Sequence, residues 1–118
     1  MSVQFKKEFP LEKRLSESRR ILEKYEARIP IIVTAHKTCT LPLIDKNKYL
    51  VPNDLTVGQF LHVIRKRIKI DASQSVFMYV NDNVLPPTSA TMLSLYRNYK
   101  DEDGFLYMSY CGENTFGA

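Results

Sequence analysis

The 118 residues predict an α+β domain, and three observations carry that reading. Apolar residues recur at helical spacing in two stretches, from Leu11 to Tyr25 and from Val57 to Ile68. Runs rich in β-branched and aromatic residues, at 31–34, 46–51, 76–80 and 105–111, read as strands. Proline, asparagine and glycine clusters separate them, giving the order two helices, ββαβ, a short helix and a last strand.

The first nine residues hold Phe5 and Phe9 around Lys6-Lys7-Glu8, one helical turn with two apolar anchors. Pro10 suits a first helical position. From there a helix runs to about Tyr25, with Leu11, Leu15, Ser18, Leu22 and Tyr25 on one face; Ile21 lies off that stripe beside Glu17, towards the rim. Pro30 ends any helix before it, because the residue preceding proline is driven to extended geometry. Ile31 to Thr34 is a strand suited to cover on both faces, and His36 to Thr40 a polar connector. Lys46 to Val51 carries lysines at alternate positions, as edge strands do to discourage unwanted pairing, and Pro52 stops it.

After a turn at Asn53-Asp54, Thr56 and Gln59 form a capping box for the next helix. Val57, Phe60, Leu61, Ile64 and Ile68 fall within an arc of about 100°, with His62, Arg65, Lys66 and Lys69 opposite. Val63 and Arg67 sit on the flank beside Phe60. Two readings of that flank stand together: a wide core stripe, or a surface pocket floored by Phe60 and Val63 and rimmed by Arg67. Val76 to Val80 is the third strand, Asn81-Asp82-Asn83 a turn and Pro86-Pro87 a rigid connector. Thr88 or Ser89 is the expected cap of a short helix through Met92, Leu95 and Tyr96. The DEDG sequence at 101–104 breaks it, and Phe105 to Cys111 is the final strand before a tail from Gly112 to Ala118.

One domain with one modest core follows from the length, and 25% charged residues are usual for a soluble protein. No run approaches the roughly 18 apolar residues of a membrane span. The opening MSVQFKKEFP has no apolar secretory core. Cys39 and Cys111 read as reduced thiols of a cytosolic protein. Charge is uneven: residues 1–30 carry eight basic and five acidic side chains, 31–70 seven and two, 71–118 two and six. The basic first half suits phosphate, anionic lipid or acidic peptide. No CxxC, metal-ligand spacing or phosphate-binding glycine loop occurs, and His36 with Cys39 lacks a third, orienting group. The expectation is therefore no enzyme, no catalytic residue, no metal and no cofactor. A nucleic-acid binder is disfavoured because the basic residues lack an aromatic stacking platform.

KYLVPNDLTVGQFLHVIRKRI, at 48–68, closely resembles the signature of the autophagy-related ubiquitin-like modifiers, the GABA-receptor-associated-protein and microtubule-associated light-chain type. FKKEFPLEKRLSES, RIP at 28–30, VLPPTSATM, DGFLY and the closing ENTFGA resemble the same family in the same order. The turn at Asn83 is one residue longer than in several relatives, and the connector from His36 to Pro42 is variable. The resemblance implies a ubiquitin-like β-grasp, a four-stranded mixed sheet, with two additional N-terminal helices. The element order permits that arrangement without forcing it. The implied layout is a helical extension at 1–26, a core at 27–112 and a flexible conjugation tail at 113–118.

Two sites follow from the resemblance. The 46–51 strand would accept an aromatic-x-x-aliphatic peptide as an added strand. Its aromatic residue would enter a pocket of Glu17, Ile21, Pro30, Lys48 and Phe105. The aliphatic one would meet Tyr49, Val51, Pro52, Leu55, Phe60 and Val63, while Arg28, Lys46, Leu50 and Arg67 supply strand pairing and charge. Replacing Tyr49 is expected to leave stability nearly unchanged. In the tail, a cysteine protease would recognise Phe116 and remove Ala118. Activating and conjugating enzymes would then join the Gly117 carboxylate to phosphatidylethanolamine. The implied protein is cytoplasmic, moves to autophagosome membranes after lipidation and recruits cargo receptors and adaptors. The alternative is an unconjugated cytosolic adaptor for acidic partners such as tubulin.

Overall fold

The computed structural model describes residues 3–112. Helices α1 (Val3–Glu8) and α2 (Leu11–Lys24) precede strands β1 (Arg28–Ala35) and β2 (Lys48–Pro52); α3 (Val57–Ile68), β3 (Phe77–Val80), α4 (Met92–Tyr99) and β4 (Leu106–Cys111) follow. One mixed sheet runs in the order β2-β1-β4-β3. β1 is antiparallel to β2 and parallel to β4, and β3 is antiparallel to β4. This is the expected four-stranded mixed sheet with two helices ahead of it.

Alternation along the strands sorts the core onto two faces. Ile29, Ile31 and Val33 of β1 and Leu106, Met108 and Tyr110 of β4 join Phe60, Ile64, Met92 and Leu95 from α3 and α4 in the larger cluster. On the other face Ile32, Phe105 and Tyr107 pack with Ile21 of α2, and Phe5 and Leu50 lie against them. The two central strands are thus covered on both sides, as the β-branched run at 31–34 requires.

Helix α3 matches its sequence signature closely. The Gln59 N–H donates to Thr56 Oγ1 at 3.1 Å and the Thr56 N–H donates to Gln59 Oε1 at 2.9 Å, a complete capping box. Lys69, left-handed at φ 56°, ends the helix. Helix α4 corrects an expectation: its cap is Thr91, whose Oγ1 accepts from the Ser94 N–H at 3.2 Å, and neither Thr88 nor Ser89. Tertiary hydrogen bonds decide this. The Thr88 carbonyl is taken by the Gly58 N–H at 2.9 Å, and the Met92 N–H goes to the Leu55 carbonyl at 2.8 Å.

Helix α2 corrects another. Its buried residues are Ser18 and Ile21, while Leu22 and Tyr25 are more than a third exposed. The helix is turned by a polar contact, the Ser18 hydroxyl donating to the Asp103 carbonyl at 2.6 Å. Ile21 thereby enters the core and Leu22 leaves it. Pro10 is the N-cap residue, not the first helical one; its carbonyl accepts from the Lys13 and Arg14 N–H groups.

Candidate functional site

β2 lies at the edge of the sheet, as its alternating lysines imply. Its register places Leu50 opposite Pro30. Proline has no N–H, so this is a pair without ladder bonds, and the neighbouring pairs, Tyr49 with Ile31 and Val51 with Ile29, carry them. The Val33 N–H donating to the Asn47 carbonyl and the Asn53 N–H donating to Ala27 keep the same phase. The backbone polar groups of Lys48 and Leu50 consequently face the open edge. An extended peptide would pair there.

The side chains of β2 divide between two faces. Lys48 and Leu50 point towards α2, where Ile21 and Phe105 are buried and Pro30 lies beneath. Glu17 and Lys48 form an ion pair that ties α2 to the edge strand over this region. The five residues of the expected aromatic pocket are thus brought together between α2 and β2. Sequence reasoning had not placed Phe5 here: its ring meets Phe105 edge-on at 5.2 Å, and Lys48 Nζ lies 5.6 Å from its centroid. The two-phenylalanine pattern of the first turn was the available signal.

Tyr49 and Val51 point the opposite way, into the larger cluster beneath α3. Tyr49 is 6% exposed and packs edge-on against Phe60 at 5.5 Å. This contradicts the expectation that Tyr49 can be replaced at little cost. Phe60 is fully buried, Leu55 half-buried and Pro52 exposed. Val63 is 42% exposed, so the flank of α3 reaches solvent there, while Phe60 is wholly covered. Of the two readings of this flank, Phe60 follows the core one and forms no exposed floor, and Val63 lies at the surface.

The charged residues around the edge already have partners within the chain. Arg67 Nε donates to Asp45 Oδ1 at 2.7 Å, and the Asp45 carboxyl is held below its ordinary value chiefly by that bond. Arg28 Nη1 donates to the Leu50 carbonyl at 3.2 Å. Lys46 Nζ lies 5.0 Å from the Tyr49 ring centroid. An acidic peptide would exchange with these contacts. Asp45, an exposed loop residue, was missed in the sequence because its role depends on a tertiary neighbour.

Neither histidine joins a site with a cysteine. His36 is buried, with Nδ1 against Thr38 Oγ1 at 2.9 Å and Nε2 against the Asp82 carbonyl at 3.1 Å. Among the described residues no group of three or more His, Cys, Asp or Glu side chains could hold a metal. The expected tail residues Phe116, Gly117 and Ala118 lie outside the described residues.

Comparison with known proteins places this geometry in a family. Residues 13–117 match the family model described as autophagy protein Atg8, ubiquitin like. Autophagy-related protein 8 of Kluyveromyces marxianus is 58% identical over 118 residues, covering 100% of this chain and 94% of the relative. Autophagy-related protein 8a of Arabidopsis thaliana is 60% identical over 114 residues, covering 97% and 93%. The crystal structure of Trypanosoma brucei ATG8 superposes with a TM-score of 0.88 at 45% identity, covering 96% of this chain and 97% of that one.

Proposed function

The chain belongs to the Atg8 family of autophagy-related ubiquitin-like proteins, and from that premise we propose that it is itself a conjugated substrate, not an enzyme. A cysteine protease removes Ala118. The exposed Gly117 carboxylate is adenylated, carried as a thioester on activating and conjugating enzymes, and transferred to the amine of phosphatidylethanolamine. The observation that carries this reading is the reach of the family match, which ends on Gly117. Glycine suits the step because a narrow enzyme channel must admit its backbone without a Cβ. No helix among the described residues is long and apolar enough to cross a membrane. Two acyl chains supply stable anchorage where one gives only marginal binding. On this reading the protein is cytoplasmic until lipidation and on autophagosomal membranes after it.

The same protein recruits partners through aromatic-x-x-aliphatic peptides laid along β2. Supporting this are the open edge at Lys48 and Leu50 and the apolar side chains on either face of the strand, Leu50 over Ile21 and Phe105 on one side and Tyr49 against Phe60, with exposed Val63 on the same helix, on the other. Lipid conjugation presents that edge on a membrane surface.

The test is flotation with liposomes containing phosphatidylethanolamine, conjugating enzymes and ATP, followed by a high-salt wash. A chain ending at Gly117 should become membrane-bound without the protease, and Gly117→Ala should stay in the soluble fraction with unchanged circular dichroism. If Gly117→Ala floats as well as the wild type, the conjugation reading fails and an adaptor for acidic partners such as tubulin takes its place.

A further inference from the structure

Two cysteines distant in sequence meet where the β1–β2 connection crosses the end of β4. Ala35 stands opposite Tyr110 in the parallel ladder, and the His36 N–H continues it to the Tyr110 carbonyl at 2.9 Å. The chain then folds back, the Cys39 N–H donating to the His36 carbonyl at 2.8 Å. That turn brings Thr38 Oγ1 to 3.9 Å from Cys111 Sγ and lays the segment carrying Cys39 against the end of β4. The surrounding loop is fastened in place. The Tyr110 hydroxyl donates to the Pro42 carbonyl at 2.6 Å, and the Leu41 N–H donates to Cys39 Sγ at 3.4 Å. Leu41 also covers Gly112 so closely that a Cβ there would meet it at 3.2 Å. Cys39 is partly accessible, whereas Cys111 is 2% exposed.

We propose that Cys39 and Cys111 are a modification site, a thiol pair that closes reversibly into an intramolecular disulfide and pins the β1–β2 connection to the root of the C-terminal tail. The oxidant is a low-molecular-weight disulfide of the glutathione type. The accessible Cys39 thiolate attacks one of its sulfurs, forming a mixed disulfide and releasing one thiolate. The Cys111 thiolate then attacks the Cys39 sulfur and the second thiolate leaves. The two protein thiols lose two protons and two electrons; the electrons cleave the S–S bond of the oxidant, and the protons complete its two thiols. Burial raises the Cys39 pKa, so the first step quickens as pH rises above neutrality. The site stands whether or not the tail is conjugated.

The experiment treats the full chain with excess oxidised glutathione near pH 8, alkylates free thiols and measures intact mass. Wild type should lose two hydrogens, about 2 Da, resist alkylation and yield a digest peptide joining Cys39 to Cys111, all reversed by dithiothreitol. Cys111→Ser should stop at one glutathione on Cys39. Cys39→Ser should remain unmodified while folded, with Cys39→Ala as a second variant whose fold is checked by circular dichroism. Amide exchange across 37–45 should slow in oxidised wild type and not in the variants. Glutathione retained on both cysteines, a disulfide formed only between chains, or a wild type that stays reduced would each overturn the proposal.

Discussion

Asp103 is a fully buried carboxylate, and its contacts join the N-terminal helices to the sheet. Arg14 Nη1 donates to it at 2.7 Å, the Phe105 N–H at 2.9 Å, and the Tyr107 hydroxyl also donates to it. Burial, with Asp103 alongside, raises the Tyr107 pKa well above its ordinary value, so the phenol keeps its proton as a donor. Asp103→Ala leaves the largely covered Arg14 without its anion and the Phe105 N–H and Tyr107 hydroxyl without their acceptor, and should cost about 3 kcal/mol in urea unfolding. Asp45→Ala, at an exposed and solvent-screened pair, should leave the denaturation midpoint nearly unchanged. It should also strengthen binding of an acidic aromatic-x-x-aliphatic peptide, because Arg67 is released; weaker binding would show that Asp45 positions Arg67 usefully. Asp101 supplies a pH signature. Burial raises its pKa, but the Lys6 contact at 2.8 Å, the Asp103 N–H and the nearby Arg14 charge together more than offset this, and the net shift is downward from 3.8. A depressed folded-state pKa means that the stabilisation is present above about pH 4 and is lost as pH falls through the lower folded value. Lys6 is 38% exposed, so the contribution stays under about 1 kcal/mol. The stability gap between wild type and Lys6→Ala should therefore be measurable at pH 6 and shrink at pH 3.

At the scale of elements, local chemistry was legible wherever it was self-contained. Thr56 and Gln59 cap α3 through bonds three residues apart, and Thr56→Ala should cost about 1 kcal/mol, read from the denaturation midpoint. The edge position of β2 was legible from Lys46 and Lys48, although the strand itself begins at Lys48. The rotation of α2 was not legible. Ser18 lies on the expected stripe and is buried, but the face turns from Leu22 towards Ile21, the side on which Arg14 also reaches Asp103; Asp103 lies eighty-nine positions from Arg14 and eighty-five from Ser18 in sequence. The cap of α4 was hidden for the same reason, since Thr88 is committed to Gly58. Within the candidate site, the division of β2 side chains followed from strand alternation, but the depth of Tyr49 depends on Phe60. Tyr49→Ala should consequently cost about 3 kcal/mol, near the scale of removing a buried aromatic ring. Leu50→Ala, at a half-buried position on the other face, should cost less while weakening peptide binding by at least about 1 kcal/mol. Equal stability losses from the two would contradict the two-faced arrangement.

Across the whole molecule, α3 and α4 cover one face of the sheet, and α2 together with α1, whose Phe5 packs on Phe105, covers the other. On the proposed reading, the edge strand between these layers takes one peptide anchor on each side. The proposed aromatic site then depends on the N-terminal extension, which supplies Glu17 and Ile21, whereas the proposed aliphatic site draws only on residues after 48. Removing 1–26 would uncover Ile32, Phe105 and Tyr107 and strip Arg14 and Ser18 from Asp103. Such a chain should aggregate or unfold. Removing only 1–9 is the sharper experiment. It deletes the Phe5–Phe105 contact at 5.2 Å and the Lys6–Asp101 pair but keeps α2 and its tie to Asp103. Loss of the half-buried Phe5 ring should lower stability by about 2 kcal/mol, the scale of burying one large apolar side chain. Because Phe5 supports Phe105 from within the same cluster, a peptide with its aromatic residue should lose affinity several-fold. A variant peptide with alanine in that place should bind the full-length and shortened chains alike, since its remaining anchor meets only Phe60, Val63 and their neighbours. If shortening weakens both peptides equally, the two pockets are one cooperative unit and the layered account of the site is wrong.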